Sequence, residues 1–136
     1  MKLEVKSPWN LELLDEIPLH SEKEVESICQ TAYKTSLLKG LDFPISERIK
    51  VLETFSKSIR KNKENLAKLA STEGGKPITD SIVEIERGAE GVDSAIEVLK
   101  SEAGSVIPMN LNKASSNRLA FTQKEPIGLV LAISAF

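Results

Sequence analysis

The strongest constraint on this 136-residue chain is its apolar run Pro126-Ile127-Gly128-Leu129-Val130-Leu131-Ala132-Ile133-Ser134-Ala135-Phe136. A proline and glycine opening, then an almost unbroken series of Leu, Val and Ile, reads as a strand buried on both faces. That is the pattern of a parallel sheet in an α/β domain rather than of a half-wet antiparallel strand. Parallel strands need crossover helices and neighbours, which would have to lie downstream. Burying Leu129, Val130, Leu131, Ile133 and Phe136 is worth roughly 1.5–3 kcal/mol each, about 8–15 kcal/mol together. This matches the net stability of a typical domain. Left unpartnered, such a strand is an adhesive edge. The expectation is that the chain is the front piece of a larger protein.

The rest of the composition narrows the class by exclusion. Apolar content of 40% and charged content of 28% are those of an ordinary globular protein. A net charge of −2 leaves no electrostatic footprint for nucleic acid. Basic residues alternate with acids along helices, as in Arg60-Lys61-Asn62-Lys63-Glu64, which reads as a solvated face. One cysteine, Cys29, excludes an internal disulfide and fits a reducing compartment. Early charges at Lys2, Glu4, Lys6 and Asp15 leave no apolar core for a signal peptide. The apolar tail is far short of the ~20 residues that a membrane span needs. No membrane partner is expected, and cytoplasm is the expected location.

Four regions follow from the pattern. Residues 1–20 are expected to be an irregular N-terminal arm carrying Trp9, with Pro8 and Pro18 opposing helix. Residues 21–104 read as helical. Ser21 and Glu24 form a capping box, and Val25, Ile28, Cys29 and Ala32 define one apolar face of a first helix ended by Gly40. Pro44 and Ser46 open a second helix with Ile49, Leu52, Phe55 and Ile59 inward. Asn62 separates it from a third helix holding Leu66, Leu69 and Ala70. After Glu73-Gly74-Gly75-Lys76-Pro77, the residues Ile78, Ile82, Ile85, Ala89, Val92, Ile96, Leu99 and Ala103 make an a/d seam ending at Gly104. Gly88 and Gly91 interrupt that seam at about 1 kcal/mol each relative to alanine. They imply either a close backbone neighbour or simple tolerance of a weak spot. Residues 105–125 read as a β-hairpin arm. Val106 to Leu111 and Arg118 to Lys124 flank the polar stretch Asn112 to Asn117, and Leu119 and Phe121 alternate with polar or small residues. Residues 126–136 are the buried strand. The fold class expected is α/β: a helical layer and a hairpin arm leading into the first strand of a truncated parallel sheet.

Few residues offer chemistry on their own. Cys29 sits on an apolar stripe with no base or cation at helical spacing, so it is expected to be core packing rather than a nucleophile. His20 is the single histidine and makes no metal site alone. No phosphate cradle of the G-x-G-x-x-G or P-loop type is present. Glu73 to Pro77 could offer Lys76 and backbone N–H groups to an anion at the next helix N-terminus. Turns between helices use the same residue types for geometry alone. The strand tip Ile133, Ser134, Ala135 and Phe136 is the better candidate, because ligands of open α/β sheets bind outside the carboxyl ends of strands.

The ordered set Arg48…Leu52, Glu73-Gly74-Gly75-Lys76-Pro77, Glu84, Gly104…Pro108 and Pro126 to Phe136 resembles the N-terminal part of the NAD(P)-dependent aldehyde dehydrogenase superfamily. The resemblance spans residues 20–136 but only the leading part of a family subunit. It implies a Rossmann-like sheet, an NAD or NADP cofactor, and a cofactor cleft lined by Ile133, Ser134, Ala135 and Phe136. It implies a small aldehyde substrate, and homo-oligomerisation through the 105–125 hairpin. The reaction implied is oxidation of an aldehyde to the acid by cysteine attack, hydride transfer and thioester hydrolysis. The family's catalytic cysteine and general-base glutamate match no residue here, and Cys29 corresponds to neither. No catalytic residue and no metal ligand are therefore assigned. This chain alone is expected to be inactive and to bind no cofactor tightly. Ala135 and Phe136 stand where the family often has proline and tryptophan. With Gly104-Ser105-Val106-Ile107-Pro108-Met109-Asn110-Leu111, they resemble the branch acting on lactaldehyde and related hydroxyaldehydes. The competing expectation is a freestanding helical interaction module that uses the Ile78 to Ala103 seam.

Overall fold

The structure, a computed structural model, describes residues 2–39, 43–125 and 127–134. The N-terminal arm is not irregular. Strand β1 (Lys2–Lys6) pairs antiparallel with β2 (Leu13–Pro18), with Leu3 opposite Ile17 and a register irregularity between Val5 and Lys6. Alternation in Lys2-Leu3-Glu4-Val5-Lys6 carries this strand. Pro18 is tolerated as the last residue of a two-stranded edge. In the connecting loop the Leu11 amide donates to the Ser7 carbonyl at 2.9 Å, and the Ser7 amide to the Glu12 carbonyl at 2.9 Å.

Helix α1 (Glu22–Lys39) starts as its capping box requires. The Ser21 amide donates to the Glu24 carboxylate at 2.7 Å, and the Glu24 amide donates to Ser21 Oγ at 3.4 Å. Its apolar stripe is not a core face here: Val25, Ile28 and Cys29 are exposed. The expectation of a packed Cys29 is therefore corrected. Gly40, its expected terminator, lies outside the described residues.

The packed body is made by α2 (Ile45–Lys61), α3 (Lys63–Gly74) and α4 (Ile78–Ser101). Helix α4 lies against both α2 and α3. Ala67, Ala89 and Ile96 form the buried apolar centre, and Ile49, Leu52, Ile59, Ile82, Ile85, Val92 and Leu99 are half-buried around it. Phe55, Leu66, Leu69, Ile78 and Ala103 remain exposed, so the seam is packed in its middle and bare at its ends. Helix α4 stops at Ser101 with Glu102 as its cap, before Gly104. A β-carbon at Gly88 or Gly91 would meet nothing within 4 Å, which favours tolerance over close approach.

A polar clamp crosses this helical face. Ser56, 2% exposed, donates through Oγ to Asp93 Oδ1 at 2.6 Å and accepts from Arg60 Nη1. Arg60 also donates to Asp93 Oδ2 at 2.7 Å and to Glu86 Oε1 at 3.1 Å, and Lys63 reaches Glu86 Oε2 at 3.2 Å. Hydrogen bonds from Arg60 and then Ser56 hold Asp93 below its ordinary carboxylate range. Those from Lys63 and then Arg60 do the same for Glu86.

The expected 105–125 hairpin is present but short. Strand β3 (Val106–Ile107) pairs antiparallel with β4 (Ala120–Phe121), and a 3-10 turn at Lys113–Ser115 is capped by Asn112. Residues 127–134 form no strand. The parallel strand expected there is thus not formed among the described residues, whose two sheets are both antiparallel pairs. A strand exists only by pairing with a neighbour, and at Gly128 a β-carbon would meet nothing within 4 Å.

Candidate functional site

The expected strand tip is open. Ile133 is 84% exposed, Ser134 is exposed, and Ala135 and Phe136 lie outside the described residues. Gly128, earlier in the same segment, also stands in open space, with nothing within 4 Å of a β-carbon placed there.

The Glu73 to Pro77 turn is used structurally. Gly75 takes a φ of 69° as the left-handed cap of α3, its amide donating to the Ser71 carbonyl at 2.9 Å. A β-carbon there would lie 2.7 Å from Pro8 Cγ, so the loop of the N-terminal hairpin rests on this turn. Ser71 Oγ donates to the Lys76 carbonyl at 2.7 Å, and the Lys76 ammonium pairs with Glu84 on α4. The Lys76 ammonium thus pairs the turn with α4 in this structure.

A cavity of about 500 Å³ lies between the first turn of α2, the last turn of α4 and the chain leaving β4. Ile45, Val98, Leu99, Ala103 and Phe121 give it apolar walls, and Arg48 supplies a guanidinium. Arg48 Nε is buried without a hydrogen-bond partner among the described residues. At the rim, Glu102 pairs with Lys124 at 3.3 Å. Sequence reasoning placed Arg48 only within a motif. The signal that could have marked it is an arginine directly beside Ile49, where the apolar stripe of α2 begins.

Among the described residues no group of three or more His, Cys, Asp or Glu side chains could hold a metal ion. No described helix is long and apolar enough to cross a membrane.

Comparison with known proteins gives these features a context. The model of the aldehyde dehydrogenase family matches residues 1–136. A lactaldehyde dehydrogenase of Methanocaldococcus jannaschii is 36% identical over 135 residues, which cover 98% of this chain and 27% of that protein. A 3-sulfolactaldehyde dehydrogenase of Priestia aryabhattai is 32% identical, over 99% of this chain and 28% of its own length. Among solved structures, a glyceraldehyde-3-phosphate dehydrogenase of Methanocaldococcus jannaschii complexed with NADP superposes with a TM-score of 0.82 at 34% identity, over 91% of this chain and 26% of that one. The NADP-dependent glyceraldehyde-3-phosphate dehydrogenase of Bacillus halodurans has a TM-score of 0.85 at 24% identity, over 94% of this chain and 27% of that one, a likeness of fold alone. The chain spans about a quarter of the length of the curated relatives it matches. With a family model matched from its first residue to its last, it belongs to the aldehyde dehydrogenase family.

Proposed function

We propose that this chain forms the leading part of an NAD(P)-dependent aldehyde dehydrogenase subunit that oxidises a short hydroxyaldehyde of the lactaldehyde kind to its acid. The observation that carries this is the 36% identity to a lactaldehyde dehydrogenase, which runs through 98% of the chain. The 32% identity to a 3-sulfolactaldehyde dehydrogenase supports the same substrate class.

In this reading α2, α3 and α4 are scaffold, and Ile133, Ser134, Ala135 and Phe136 contribute one wall of the cofactor site once the tail has strand neighbours. The 105–125 hairpin contributes to a homo-oligomeric surface, consistent with exposed Leu119 and Phe121 beside a ladder of only two residue pairs. A cytoplasmic location is supported by the single thiol, Cys29, which stands exposed. The helical-module reading finds less support, because the middle of the Ile78 to Ala103 seam is already packed within the chain.

The test compares the 136-residue chain with a polypeptide in which it is continued by the rest of the subunit. Only the longer form should reduce NAD+ or NADP+ with lactaldehyde. Stabilisation follows RT ln(1 + [L]/Kd), so either cofactor should leave the melting temperature of the short form almost unchanged. Cys29-dependent reduction of NAD+ by the short form would overturn the division of labour. A longer form that is folded but inert toward lactaldehyde and its sulfonated analogue would overturn the substrate class.

A further inference from the structure

We draw no further inference here: the strongest candidate, the exposed apolar face of helix α1 bearing Val25, Ile28 and Cys29, carries none because nothing in the structure shows what covers it.

Discussion

At Gly104 the backbone adopts a φ of 106°, and a β-carbon would sit 2.0 Å from the Thr122 carbonyl oxygen. Any side chain there meets both an unfavourable conformation, worth about 1–3 kcal/mol, and a backbone atom that cannot move without breaking the hairpin base. That base is held by the Thr122 amide donating to the Ser105 carbonyl at 2.8 Å and the Ser105 amide donating to Thr122 Oγ1 at 2.9 Å. Gly104→Ala is expected to abolish protection of these two amides from hydrogen exchange while leaving that of α2 and α4 intact. Equal protection in both proteins would show that the base does not depend on glycine. Helix periodicity identified Gly104 only as a terminator. Its real role is a long-range approach to Thr122, which no local pattern encodes. Arg48 is a similar case, since the burial of its Nε without a hydrogen-bond partner among the described residues is a property of what surrounds it in space.

Among the elements, α2 to α4 were legible because their apolar positions repeat at helical spacing and Asn62, Gly75 and Pro77 punctuate them. The N-terminal hairpin was missed although its strand alternation is plain in Lys2 to Lys6. Prolines at positions 8 and 18 drew the reading toward irregular structure. Gly88 and Gly91 lead to a direct prediction at this scale. With open space where a β-carbon would go, Gly88→Ala should stabilise the chain by about 0.5–1 kcal/mol, read from the urea midpoint. A loss of stability would point to a neighbour at that site. The polar clamp predicts the pH response of the same bundle. Asp93 and Glu86 have depressed folded-state values, so the unfolded chain binds protons at these sites more readily than the folded one. Their contribution is present above the ordinary carboxylate range, about pH 4, and is lost as pH falls through the depressed values. The urea midpoint should therefore drop on acidification, and Asp93→Asn should flatten that drop while lowering the midpoint at neutral pH. An unchanged acid slope in Asp93→Asn would remove the clamp from the account.

For the molecule as a whole, the apolar tail has the composition of an interior strand, and among the described residues 127–134 it forms none. Its composition specifies burial, but burial of a strand requires neighbours on both faces, and Ile127, Leu129, Val130, Leu131 and Ile133 are all exposed. The result is a chain with an ordered helical body and a bare apolar ribbon, Leu131 at 81% and Ile133 at 84% exposure. Exposed apolar segments of this kind drive association. Because the tail packs on nothing at Gly128, charge there should act on association and not on folding. Leu131→Lys combined with Ile133→Lys is expected to shift the chain toward monomer in sedimentation velocity, with helical content and urea midpoint unchanged. If the variant instead lost helical content, the tail would have to stabilise the helical body. If association persisted undiminished, the exposed face of α1, bearing Val25 and Ile28, would become the principal sticky surface.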